Sequence, residues 1–163
     1  MNLAKQSASD RGYVCQILIA SSPSSAMESK SRVRAVPGKG LQGDRYFQGV
    51  GTFSPPTPKP DYELTFIEQE NVEAFVAESG LAFTTADARR NVVTLGVRLN
   101  DLVGEEFCVG AVRIRGIRLC EPCSHLAKRT SPEVLKGLVH KGGLRAQILS
   151  EGDIGVGDKI GGA

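Results

Sequence analysis

The chain has 163 residues, 40% of them apolar and 23% charged, with a formal net charge of +2. This suffices for one sizeable core and leaves no room for a substrate domain beside a separate cofactor domain, so a single domain over 1–163 is expected. No stretch approaches the roughly 20 consecutive apolar residues of a membrane span, and so small a basic excess argues against a nucleic-acid partner.

Residues 1–12 carry Lys5, Asp10 and Arg11 without the apolar region and small-residue cleavage site of a secretory signal. They are expected to form a flexible N-terminus of a cytoplasmic protein, ahead of a core over about 13–161. Nineteen glycines and eight prolines then cut the chain into short segments, most with strand-like patterns, so the fold is expected to be mostly β with minor α. Tyr13 to Ala20 is a β-branched, apolar run and predicts a buried strand that ends at the polar loop Ser21 to Ser25. Val33 to Val36 predicts a second strand.

Pro37 to Pro60 is rich in glycine and proline, and Pro55, Pro56, Pro58 and Pro60 forbid a continuous helix or central strand. A long loop is predicted there. Glu63 to Ile67 alternates as a strand, and Glu68 to Glu78 places Val72, Phe75 and Val76 at helical spacing with Gly80 as C-terminal cap. Asn91 to Leu95 predicts a strand and Leu99 to Val103 one short helical turn.

A hairpin follows: Glu106 to Val109, the turn Gly110-Ala111, and Val112 to Leu119, with a bulge predicted at Gly116 where Ile114 and Ile117 break strict alternation. Ser131 reads as the N-cap of a short helix with Pro132 at its first position. Arg145 to Leu149 and Val156 to Ile160 are predicted as closing strands joined by a glycine turn.

Four cysteines in a core of this size need not be disulfides, and a close Cys-x-x-Cys pair in a cytoplasmic chain points to redox, sulfur or metal chemistry. Reduced thiols are expected. Cys15 and Cys108 fall inside predicted strands and are read as core. The segment Leu119-Cys120-Glu121-Pro122-Cys123-Ser124-His125-Leu126 concentrates two thiols and an imidazole after an apolar strand. Cys123 is the candidate nucleophile or soft-metal ligand, Cys120 a candidate resolving thiol, and His125 a candidate to activate a thiol.

Arg45, Arg89, Arg90 and Arg145 are candidate donors to a phosphate or carboxylate. His140 heads His140-Lys141-Gly142-Gly143-Leu144-Arg145, where Gly142 and Gly143 permit close backbone approach to an anion. A tetrahedral zinc site from Cys120, Cys123, His125 and His140 has suitable ligand types, but the two-residue step from Cys123 to His125 strains it, and no zinc is expected.

These segments resemble the MOSC family, named for the C-terminal domain of molybdenum cofactor sulfurases. The resemblance is carried by Gly43-Asp44-Arg45-Tyr46, Gly51-Thr52-Phe53-Ser54, Glu63-Leu64-Thr65-Phe66-Ile67-Glu68, Arg89-Arg90-Asn91-Val92-Val93-Thr94, Leu119 to His125, and His140 to Arg145. It implies a MOSC-type β-barrel with a few short helices. It further implies a reactive cysteine at Cys123 that carries sulfane sulfur or ligates molybdenum. The molybdenum cofactor (molybdopterin) is then the expected cofactor, with Arg45, Arg89, Arg90, Asn91, His140, Gly142, Gly143 and Arg145 as its expected contacts.

The chain lacks the pyridoxal-phosphate-dependent desulfurase domain of the sulfurases, so a cysteine desulfurase carrying that group is an expected partner. An electron-transfer protein or a client enzyme of the cofactor is the other. Activity as a sulfurtransferase, or as a molybdenum-dependent reductase of N-hydroxylated compounds, stands against a non-catalytic carrier of the cofactor or another small anion.

Overall fold

The computed structural model describes residues 12–162, so the expectation of a flexible N-terminal stretch lies, apart from Gly12, outside the described residues. The first apolar run forms β1 (Gly12–Ile19), followed by β2 (Glu28–Lys30), β3 (Arg32–Val36) and the two-residue β4 (Gly40–Leu41). A 3-10 turn at Pro60–Tyr62 leads into β5 (Leu64–Glu68). Helices α1 (Gln69–Ser79) and α2 (Thr85–Ala88) then cross to β6 (Val92–Leu95).

A second 3-10 turn, Leu99–Leu102, precedes the hairpin of β7 (Glu106–Val109) and β8 (Val112–Leu119). Two short helices, α3 (Ser124–Arg129) and α4 (Val134–Gly137), lead to β9 (Leu144–Ile148), β10 (Gly152–Gly155) and β11 (Lys159–Gly162).

Seven strands close into a barrel in the order β11-β7-β8-β9-β5-β6-β1, with β11 pairing back onto β1 and β2 lying outside β1. Closure removes the edges that an open sheet would leave exposed. Among the described strands only β5 and β6 run parallel, and a parallel pair requires the crossover that α1 and α2 supply. A separate sheet, β10-β3-β4, carries exposed pairs of Arg34 with Glu151 and Asp153.

Alternation fills the barrel. Along β8, Val112, Ile114 and Gly116 point inward while Arg113 and Arg115 face solvent. Inside, Phe66 and Phe107 meet edge to face at 5.7 Å, packed with Val14, Ile17, Leu64 and Leu144. A second cluster lies beneath the helices, where Val72 and Phe75 of α1 meet Ile67, Phe83, Leu126, Val134 and Leu138. Each large side chain so buried stabilises by roughly 1.5–3 kcal/mol. The α1 helix ends at Gly80 in the left-handed region (φ 71°), whose N–H donates to the Val76 carbonyl.

Several boundaries differ from the sequence reading, each for a local reason. The helix expected to start at Ser131-Pro132 begins at Val134: Ser131 does accept the Glu133 N–H on its hydroxyl, but Pro132 and Glu133 form a turn in which the Val134 and Leu135 N–H groups donate to the Ser131 and Pro132 carbonyls. The strand expected over Val156 to Ile160 is broken by a turn, in which Gly157 takes φ 93° and Asp158 accepts the Gly155 N–H at 2.8 Å. The closing strand β11 therefore starts only at Lys159, and β10 stands where a glycine turn was expected. Cys15 and Cys108, read as core, are only half-buried. Burial raises the Cys15 thiol above its usual value, and its Sγ donates to the Val93 carbonyl at 3.3 Å.

No helix among the described residues is long and apolar enough to cross a membrane.

Candidate functional site

A cavity of about 330 Å³ opens beside the barrel, within the range of small-molecule sites. The loop after β4 contributes Arg45, Tyr46, Thr52 and Phe53, and the first 3-10 turn contributes Tyr62. Thr65 of β5, the Arg89-Arg90-Asn91 segment, Arg118 of β8 and Arg145 of β9 line it further. The Cys120-to-Cys123 loop and His125, Leu126 and Arg129 of α3 complete the wall. Sequence segments separated by as many as 100 residues therefore meet around one thiol loop.

The loop is held from beneath. Arg90 donates from Nε to the Gly142 carbonyl (2.9 Å), from Nη1 to the Ala88 carbonyl (3.0 Å) and from Nη2 to the Cys120 carbonyl (3.2 Å). The Cys120 N–H donates to the Gly143 carbonyl at 2.8 Å. Gly142 and Gly143 are buried; a side chain at Gly142 would strike the Cys120 carbonyl and one at Gly143 the Phe66 carbonyl. These glycines are there because the Cys120 loop and β5 approach too closely for a Cβ. Sequence reasoning assigned that closeness to an anion.

Cys120 is buried, at 2% exposure, whereas Cys123 is half-buried, lines the cavity and packs partly on the helical cluster. Cys123 is the N-cap residue of α3 in extended conformation, and its carbonyl accepts the Ala127 N–H at 3.0 Å. His125 is exposed in the first turn of that helix and meets Phe53 edge-on at 5.7 Å. The loop residue Phe53 thus faces α3 across the cavity mouth.

Asp44 explains why the loop after β4 is ordered. Its buried carboxylate accepts the Ala20 N–H (3.1 Å), the Tyr46 N–H (3.2 Å) and Arg45 Nη1 (3.0 Å). Arg45 is itself 6% exposed. Arg89 sits in the left-handed region (φ 59°) and donates to the Ser25 (2.8 Å) and Pro23 (3.1 Å) carbonyls. Asn91 bridges strands: its amide donates to the Leu18 carbonyl and its oxygen accepts from the Thr65 N–H and hydroxyl.

Among the described residues, six arginines line the cavity against one carboxylate, Glu121, which is itself engaged with His140. The electrostatic consequence appears at Arg89, whose guanidinium is pulled down to about 10, first by burial and then by the charges of Arg45 and Arg129. Such a group of like charges favours an anion beside it.

The structure brings Cys123, Cys120, His125, Arg45, Arg89, Arg90, Asn91 and Arg145 together on the cavity wall. It does not bring His140, Gly142 or Gly143 there. His140 is exposed, with its N–H and Nδ1 held by the Glu121 carboxylate at 2.7 and 2.9 Å, and so ties its own loop to the thiol loop. Among the described residues no three His, Cys, Asp or Glu side chains converge as a metal site. A lone thiolate ligand asks for no such cluster. Sequence reasoning missed Arg118, Arg129, Tyr46 and Tyr62; only the bulge at Gly116, which changes the phase of β8, signals that Arg118 leaves the solvent ladder of Arg113 and Arg115.

The family model described as MOSC domain matches residues 53–161, more than half of the chain. No curated protein matches it. Among solved structures, YuaD from Bacillus subtilis superposes with a TM-score of 0.77 at 14% identity, covering 91% of this chain and 93% of that one. YiiM from Geobacillus stearothermophilus gives 0.69 at 18% identity (91% and 73% covered), and YiiM from Escherichia coli 0.61 at 16% (90% and 68%). At these identities the likeness establishes the fold.

Proposed function

The chain belongs to the MOSC domain family, whose function is tied in general to the molybdenum cofactor, and from that premise we propose that the cavity holds this cofactor, with Cys123 carrying sulfane sulfur or ligating molybdenum. The observation that carries the reading is the half-buried thiol of Cys123 in the wall of a cavity lined by six arginines and one carboxylate. A phosphate-bearing pterin needs fixed cationic donors, and a soft metal or a sulfur donor needs an accessible thiolate. The residues present fit the group.

Arg129, exposed at the cavity wall, is the donor suited to its anionic end, while Arg45 and Arg89, whose N–H groups are held by Asp44 and by the Ser25 and Pro23 carbonyls, add positive charge beside it. Asn91 and Thr65 keep that wall rigid, and Arg90 and Gly142 hold the thiol loop in place. When bound, the cofactor would supply two-electron chemistry of the kind that removes oxygen from an N-hydroxyl group. In sulfur transfer, the Cys123 thiolate attacks the outer sulfur of a persulfide on a partner cysteine desulfurase. The S–S bond breaks and the donor leaves as a thiolate. His125, in the first turn of α3, is placed to hold or pass a proton at the cavity mouth. The protein acts in the cytoplasm as a single domain, with the desulfurase or an electron-transfer protein as its partner.

The test is metal analysis and intact-mass measurement of protein purified from its native cytoplasm. Wild type is expected to carry molybdenum or the mass of an added sulfur atom. Cys123→Ser should lose it with folding unchanged, and Cys120→Ser only in part. Undiminished metal or sulfur in Cys123→Ser would contradict the reading. Turnover with a reductant or a desulfurase separates a catalyst from a carrier.

A further inference from the structure

Arg118 and Arg145 stand directly opposite one another in the β8–β9 ladder, just past the register shift at Gly116. Like charges so placed destabilise a sheet. One acidic residue compensates them incompletely. The Asp61 carboxylate accepts Arg118 Nε at 2.9 Å, while Arg145 reaches only the Asp61 backbone carbonyl, at 3.4 Å.

Arg145 is further unusual because its Nε is buried without a hydrogen-bond partner among the described residues, while Tyr62 packs against its guanidinium at 5.1 Å. A buried donor left unpaired is retained at a cost that folding alone does not explain. Arg118, Arg145 and Tyr62 all line the cavity, on elements other than those that carry Arg89 and Arg129.

We propose that Arg118 and Arg145 receive an oxyanion group, a carboxylate or a phosphate ester, of the small molecule on which the site acts, and that Asp61 is the counter-ion this group displaces. The inference rests on the reading of the cavity as a ligand site around Cys123, and adds that the substrate is anionic. Asp61 is a strong competitor. Burial alone would push its carboxyl up, yet the Arg118 hydrogen bond, its own backbone N–H and the charges of Arg118 and Arg145 hold it below the usual range. It therefore remains ionised at neutral pH.

The test is calorimetric titration of the full chain with phenyl phosphate, benzoate and, as a neutral control, benzamide. Arg118→Gln is expected to weaken both anions about tenfold or more. Asp61→Asn is expected to tighten both about threefold, because it removes the competing charge and keeps the shape. Benzamide should respond to neither. Both side chains are partly exposed, at 49% and 20%, so both variants should fold, with thermal midpoints as the check.

The preferred anion identifies the group: phosphate if phenyl phosphate binds more tightly, carboxylate if benzoate does. Unchanged affinity in Arg118→Gln, or weaker binding in Asp61→Asn, would overturn the proposal. Failure of wild type to bind either anion would overturn it too. Sulfur or molybdenum on Cys123 would survive that result, so the two readings fail separately.

Discussion

Arg90→Ala is expected to lower the thermal midpoint by roughly 6–12 °C, from the loss of about 3 kcal/mol in a chain of this size. The guanidinium fastens three carbonyls, of Ala88, Gly142 and Cys120, from three separate parts of the chain. Hydrogen bonds to a charged group stabilise by roughly 1.5–3 kcal/mol each, and removing the donor leaves its acceptors unmatched. The total is set below the sum because water can reach part of the gap. Arg90→Lys should recover only a fraction, since one ammonium cannot span three carbonyls in a planar fork. Cys120, buried in the wild type, should become reactive to a small thiol reagent in Arg90→Ala. A midpoint within about 2 °C of wild type, with Cys120 still protected, would show that Arg90 is not this brace.

Gly143→Ala should yield little or no folded protein. Gly143 holds φ 108°, where L side chains are rare, and an added Cβ would overlap the Phe66 carbonyl. Phe66 pairs with both Val92 of β6 and Leu144 of β9, so relief would require opening the barrel. The cost is on the order of 4 kcal/mol or more, set against the 5–15 kcal/mol that holds a domain folded. Gly157→Ala is the control. That residue has φ 93° but open space around the new methyl, so only the backbone strain of about 1–3 kcal/mol applies. Equal thermal midpoints for the two variants would exclude the collision at Gly143.

The strands were legible where β-branched residues form a run or alternate, as in Tyr13 to Ala20 and the β7–β8 hairpin, and the bulge at Gly116 followed from the broken alternation around it. β2 and β4 were not legible. One is the polar triplet Glu28–Lys30 and the other two residues inside a proline-rich loop, each fixed by the strand beside it. Helix α3 escaped because it buries only Leu126 and Ala127, too few to show a helical period.

At the site, residue types were readable but their obligations were not. Arg45, Arg89 and Arg90 look alike as ligand donors until the structure shows where their N–H groups end, on Asp44 and on backbone carbonyls of distant segments. Gly142 and Gly143 signalled close approach correctly, but the approaching group is the protein's own chain. Arg118 and Arg145 face each other through strand register, which a sequence does not display.

The central claim, that Cys123 is the reactive thiol of an anion-selecting cavity, is tested most directly by alkylation with iodoacetate and iodoacetamide, mapped peptide by peptide. Both reagents react by thiolate attack on the CH₂ carbon with loss of iodide, and they differ by one negative charge. In the folded protein Cys123 should be the fastest of the four thiols. Its iodoacetate-to-iodoacetamide rate ratio should exceed that of the same thiol in the urea-unfolded chain by about threefold or more, and fall as salt is added. Faster labelling of Cys15 or Cys108, or a rate ratio at Cys123 equal to that of the unfolded chain, would contradict the account.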